Sequence, residues 1–223
     1  TGTPPAFCVG GDSEALAGHA ERGGYDSGLG DPAEQVLPGH GVRPEFDADF
    51  ASLFALRSPL IAAVNGAAAG VGLALALFCD LRFGSTTAKL TTAAPKLGLP
   101  AEYGMSWQLP RLVGITRAAD LLLSGRVFTP AETEAWGLWN GVEADGEATL
   151  AAAQAYAQRL VASAGPQALV TTKAQLYRDL LHHSPADAVN HADALLRQAM
   201  TTAEYREGVA ALREKRAPRW GSA

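Results

Sequence analysis

The stretch "NGAAAGVGLALALFCD", Asn65 to Asp80, limits what this chain can fold into more than any other part of it. It follows the wholly apolar run Leu60–Val64, and Gly66, Gly70 and Gly72 lead into a helix-like segment rich in alanine and leucine. An apolar run so short and so complete reads as a strand buried on both faces, as in α/β proteins. Glycines between a strand and a helix permit close backbone approach, and a helix N-terminus offers free N–H groups with partial positive charge. Three uses are open: holding a dinucleotide phosphate, holding an oxyanion formed in a reaction, or simply packing strand against helix.

Bulk properties narrow the partners. With 223 residues, 48% hydrophobic and 18% charged, the chain can bury a full core in one domain with a small appendage. The net charge of −5 supplies no basic field for nucleic acid or an anionic membrane. Cys8 and Cys79 are distant in sequence and sit among apolar residues, which predicts buried free thiols in a reducing, cytoplasmic setting. The five histidines form no metal-binding pattern, so no metal is expected. No apolar run reaches the ~20 residues that span a bilayer, so no membrane contact is expected. The opening "TGTPPAFCVGGD" contains no evident strand and reads as the exit from an element that precedes it.

A short helix is expected over Ser13–Glu21, then a Gly- and Pro-rich loop over Gly23–Pro44. Phe50, Leu53 and Phe54 share one face of a predicted helix over Asp47–Leu56. Strands are expected at "LIAAV", "LRFG" and "GLWNGVEA", with a helix over about Gly72–Cys79. Short helices follow at Ser106–Val113, Thr116–Leu123 and Pro130–Trp136. The last begins with a capping box, Thr129 as cap, Pro130 at the first helical position and Glu132 three after the cap. Helices alone are predicted at Glu147–Ala164, Pro166–Leu181, Pro185–Ala203 and Tyr205–Lys215. The expected organisation is therefore an α/β core over 1–146 and an all-helical C-terminal region over 147–223.

The dinucleotide reading fails on context. The helix reaches "CDLRFG" too soon for a ribose-binding acid ~20 residues on. None of Tyr25, Tyr103, Tyr156, Tyr177 or Tyr205 has a lysine four residues later, so the Tyr-x-x-x-Lys pair of short-chain dehydrogenases is missing.

Four blocks occur in order: "AFCVGGD", "PLIAAVNGAAAGVGLALALFCD", "PKLGLPAEYGMSWQLPRLVG" and "SGRVFTPAETEAWGLWNGV". Together they resemble the crotonase superfamily, the enoyl-CoA hydratases and isomerases, from Ala6 to about Val142. The closing "EYREGVAALREKRAPRW" resembles that family's C-terminal helix. The resemblance implies a spiral of ββα turns, and an N-terminal segment that this chain lacks. It implies an acyl-CoA substrate, with coenzyme A entering as part of it and no separate cofactor. It also implies a homotrimer, or a dimer of trimers, built through the C-terminal helices, for which the apolar spacing of Ala192, Leu195, Leu196 and Ala199 is suited.

In that family two backbone N–H groups hold the thioester oxyanion. Carried onto this sequence, they belong to Gly11 and Val71, with Val9, Gly10, Gly70 and Gly72 beside them as backbone contacts for the coenzyme A part. Each such donor is worth on the order of 3–4 kcal/mol in a dry site. The family's hydratases also use two glutamates, and here both positions are alanine, Ala74 and Ala94. One acid remains: Glu102 in "GLPAEYG" stands where several isomerases of the superfamily carry a catalytic Asp. Among Tyr103, Trp107 and neighbouring apolar residues its pKa should rise, which suits a base that takes and returns one proton. That favours double-bond isomerisation. A one-acid hydratase and a non-catalytic acyl-CoA binder remain open, as does Glu102 as an ordinary loop acid.

The remaining polar residues read as structural. Asp80 and Arg82 are expected to make a structural pair near a strand end, Asp12 to cap a helix, Trp107 to be core or pocket wall, and His182 with His183 to form a turn. Ser106 has no local histidine or acid to activate it.

Overall fold

Six short strands and eight α-helices are found among the described residues, which are 1–11, 17–18, 21 and 44–221 of a computed structural model. Asp12, most of the helix expected over Ser13–Glu21 and the loop 23–43 lie outside them. The strands are β1 (Ala6–Cys8), β2 (Ile61–Val64), β3 (Ala67–Ala69), β4 (Leu81–Ser85), β5 (Leu90–Thr91) and β6 (Gly141–Glu143). The helices are α1 (Val71–Leu77), α2 (Met105–Val113), α3 (Ile115–Ser124), α4 (Pro130–Thr133), α5 (Gly146–Ser163), α6 (Pro166–Leu181), α7 (Pro185–Ala199) and α8 (Ala203–Glu214).

Strands alternate between two all-parallel sheets, ordered β1-β3-β5 and β2-β4-β6. Each turn of chain thus places one strand in each sheet before a helix closes it: β2, β3, α1, then β4, β5, α2. This is the ββα spiral of the crotonase fold. The apolar strands follow from it, because a parallel strand covered on both faces has no side for water. Ala62, Ala63 and Val64 of β2 are all buried, as are residues 82–85 of β4. Leu73, Leu77, Leu90, Met105, Leu109, Leu121, Phe128 and Leu138 fill the core around them.

The chain divides into two compact units, Thr1–Ala55 with Leu60–Ala153, and Leu56–Pro59 with Gln154–Ala223. In the first, Arg82 is buried and donates to the carbonyls of Leu77, Cys79 and Leu138, while Asp80 accepts from the Leu60 amide. Both residues hold backbone groups at the strand end. Thr129 caps α4 by accepting from the Glu132 amide at 3.2 Å. The Glu132 carboxylate does not complete the box, because it pairs with Arg126 at 2.7 Å.

In the second unit Lys173 is buried with its Nζ on the Ser58 carbonyl, and a carboxylate replaces the missing cap of α6. The N-cap there is Gly165, without a side chain. Glu204 of α8 accepts instead from the amides of Gln167 and Ala168, at 3.0 and 2.9 Å. A charge at that helix end also meets the positive pole of the helix. Glu204→Ala should cost about 1 kcal/mol of stability, the usual worth of a cap, as a lowered urea midpoint at unchanged slope.

Several local expectations are corrected. Ala6–Cys8 is a strand, because its backbone pairs with Ala67–Ala68 sixty residues on, a partner no local pattern announces. Gly66 does not lead straight into the helix: β3 intervenes, and α1 begins at Val71. Asp47–Leu56 contains a 3₁₀ helix, Ala51–Ala55, rather than an α-helix. The helix expected at Pro130–Trp136 changes to 3₁₀ at Glu134, and the one expected to Ala203 ends at Ala199. Cys8 and Cys79 are not in disulfides and are half-buried, not buried. No described helix is long and apolar enough to cross a membrane.

Candidate active site

The parallel pairing of β1 with β3 decides what meets at the site. Ala6 lies opposite Ala67 and Cys8 opposite Ala68, so the segments that leave the two strands, Val9–Gly11 and Gly70–Gly72, emerge together. Gly10 has φ +88°, and a Cβ on it would lie 3.0 Å from the Ala69 carbonyl oxygen and 3.9 Å from Val71 Cγ1. Gly70, at φ +51°, turns the chain from β3 into α1. It is the N-cap, and no side chain accepts from the first amides of the helix. Gly72 touches the other segment: a Cβ there would clash with the Cys8 carbonyl oxygen and stand 2.6 Å from the Cys8 carbonyl carbon. Side chains are thus excluded where the two backbones meet. Val9 and Gly11, on the outgoing segment, are exposed.

Glu102 comes from a different place, the turn before α2. Its carbonyl accepts from the Met105 amide at 3.0 Å, and the two residues between are in left-handed conformation, Tyr103 at φ +51° and Gly104 at φ +72°. The side chain is half-buried, and burial pushes its carboxyl above the usual range. Phe78, the C-cap of α1, ties this turn to that helix: its Cζ would lie 3.1 Å from a Cβ on Gly104. At 1.5 Å per residue, the seven residues of α1 separate Val71 from Phe78 by about 10 Å.

Ala74 and Ala94 are both fully buried. Ala74 lies within the core cluster, and Ala94 opens a 3₁₀ turn after Ala93, itself at φ +60°. Neither methyl group can carry a proton. Phe78 had no mark in the sequence beyond its place near a helix end, and nothing local distinguishes it from core. Trp107 is half-buried, packs 6.3 Å from Phe54 and carries the Arg111 guanidinium 3.9 Å above its ring. His182 is the C-cap of α6 in extended conformation, and with His183 it forms an extended link to α7 rather than the expected turn. Among the described residues no three His, Cys, Asp or Glu are grouped to hold a metal ion.

The whole chain, residues 1–223, matches the family described as enoyl-CoA hydratase/isomerase. The chain belongs to that family. A probable enoyl-CoA hydratase of Mycobacterium leprae is 31% identical over 231 residues, covering 99% of this chain and 78% of that protein. A probable enoyl-CoA hydratase of Mycobacterium tuberculosis is 39% identical over 166 residues, which are 73% of this chain and 57% of that one. Among solved structures, a probable enoyl-CoA hydratase/isomerase from Mycobacterium abscessus superposes with a TM-score of 0.81 at 30% identity, covering 100% of this chain and 80% of its own. As an enoyl-CoA hydratase/isomerase family member, the chain shares the crotonase fold. Its relatives' names say hydratase more often than isomerase.

Proposed function

We propose that this protein acts on acyl-CoA thioesters through a stabilised enolate, and that its reaction is the shift of a carbon–carbon double bond. The observation that carries the reading is Glu102: a half-buried carboxylate with a raised pKa, on the turn tied to α1 by Phe78, where Ala74 and Ala94 supply no acid. With a 3-enoyl thioester, the Glu102 carboxylate takes a proton from C2. The electron pair released moves onto the thioester oxygen, between the N–H groups of Gly11 and Val71. Return of that proton from Glu102 to C4 restores the carbonyl and leaves the 2-enoyl thioester. One acid suffices, because a single proton leaves and returns. The coenzyme A part is placed along the backbone of Val9, Gly10, Gly70 and Gly72. A cytoplasmic setting accords with two cysteines outside any disulfide.

The relatives' names favour a second reading, hydration by one acid. Incubating the protein with 3-enoyl- and 2-enoyl-CoA of several chain lengths separates the two. The expected result is 2-enoyl-CoA from the 3-enoyl substrate. A 3-hydroxyacyl product would mean hydration, and intact thioester with tight calorimetric binding would mean a binder.

The helices of the second unit are proposed to carry homotrimer contacts. Ala192, Leu195, Leu196 and Ala199 of α7 line an open apolar cleft of about 940 Å³ together with Val209 and Leu212 of α8. Leu196 and Leu212 are 56% and 79% exposed, an unusual loss for apolar side chains with no partner. Light scattering should give three or six times the 23.1 kDa chain mass, and Leu196→Glu should lower it. A monomeric wild type at micromolar concentration would overturn this.

A further inference from the structure

Among the described residues, four other than glycine have positive φ: Phe50, Ala93, Tyr103 and Lys215. Lys215 is the C-cap of α8, where the left-handed conformation is ordinary. Phe50 and Tyr103 are different. Both are bulky, they are 53 positions apart in the chain, and their rings meet at 5.3 Å between centroids and 59° between planes. Two strained backbones therefore face one another through one aromatic contact. Such conformations persist only where the surroundings over-determine them, and they gather at functional sites.

The surroundings here are aromatic. The Phe50 ring also lies 6.2 Å from Phe78, and Phe54 lies 5.2 Å from Phe78. Phe78 in turn fills the space against Gly104, where only a glycine fits. The turn Glu102–Tyr103–Gly104 is thus gripped at two successive residues: at Tyr103 by Phe50, and at Gly104 by Phe78. The residue directly before this grip is Glu102.

We propose that the Phe50–Tyr103 contact is a positioning device for Glu102, holding the backbone of its turn so that the carboxylate keeps one orientation toward the substrate. Tyr103 and Phe50 touch no reacting atom and act through Glu102. This rests on the reading of Glu102 as the base. Tilted aromatic pairs suit the task because edge and face of the rings prefer specific geometries, unlike two aliphatic chains of similar volume. The left-handed backbone at Tyr103 has the same consequence: a side chain chosen for local ease at that position would be glycine or asparagine, not tyrosine.

The test exploits that mismatch. Tyr103→Gly relieves the backbone and removes the ring, so a merely structural role predicts a folded protein with kcat unchanged or lost in step with stability. Positioning predicts that kcat on 3-enoyl-CoA falls about 10–100-fold while KM moves less than about threefold, the cost of a displacement near 1 Å. Tyr103→Phe, which keeps the ring, should recover most of the loss. Phe50→Gly should reproduce the effect, and the double variant should lose no more than either alone, because both act through one contact. In a Glu102→Gln background, Tyr103→Gly should change nothing further. Should Tyr103→Gly fail to fold, Phe50→Leu reads the same contact from the other ring. A kcat within threefold of wild type in the Gly variants, or an equal further loss in the Glu102→Gln background, overturns the positioning role. If Glu102→Gln itself leaves kcat intact, it is the reading of the base that has failed.

Discussion

Glu102→Gln should lower turnover of a 3-enoyl thioester by about 10²–10⁴, the range for loss of a positioned acid–base group. The amide keeps the shape of the side chain and cannot take the C2 proton, so KM should change little. The pH dependence gives a second reading of the same residue. Burial raises the Glu102 pKa, and the active form is the carboxylate. Activity must then fall on the acid side at a pH above the ordinary 4.5 of a glutamate, and this limb should be missing from the residual activity of Glu102→Gln. Stability moves the other way. With the folded pKa above the unfolded one, folding favours the protonated acid. That contribution is present at pH below the unfolded pKa and is lost as pH rises through the folded value. At neutral pH the wild type carries a partly desolvated charge that the amide lacks, so the thermal midpoint of Glu102→Gln should equal or exceed that of wild type. A kcat unchanged within threefold would remove Glu102 from the chemistry.

What could be read from the sequence, and what could not, divides by the range of the cause. Helices α2 to α8 were legible because their signals are local: Pro166 and Pro185 at first helical positions, Thr129 before Pro130 and Glu132, and apolar residues at helical spacing. β2 was legible because a strand covered on both faces is apolar throughout. The three-residue β1 and β3 and the two-residue β5 were not, because such short strands have no periodicity and exist only through pairing with one another. At the site, the glycine segment announced a close backbone approach. That its partner is the Cys8 carbonyl follows only from the register of β1 on β3. Glu102 stood out as the acid left beside two alanines, but the left-handed Tyr103 and its contact with Phe50 did not. Tyrosine has no preference for that conformation, so no local signal could mark it.

The glycines of the segment allow one more contrast, between two positions two residues apart. Gly70→Ala meets nothing within 4 Å, so it pays only for a side chain at φ +51°, ψ −117°, about 1–3 kcal/mol. Gly72→Ala has no such backbone difficulty. Its new Cβ clashes with the Cys8 carbonyl oxygen, 2.6 Å from the carbonyl carbon and 2.7 Å from Cys8 Cβ. Those atoms belong largely to the backbone of β1, so no rotamer change can relieve the clash, and the strand must move away from α1. Overpacking of this kind costs about 1–3 kcal/mol and more where backbone must shift. The larger effect is on turnover. β1 leads into Gly11 and α1 begins at Val71, so parting them would spoil the spacing of the two N–H groups proposed as donors, and a shift near 1 Å costs on the order of 10²-fold. Gly72→Ala should therefore lose about a hundredfold in kcat on 3-enoyl-CoA while its far-ultraviolet circular dichroism stays that of wild type. Gly70→Ala should show the milder loss of stability and keep most of its turnover. Equal kcat losses in the two variants would mean that the glycines act through their own backbone angles, not through the approach of β1 to α1.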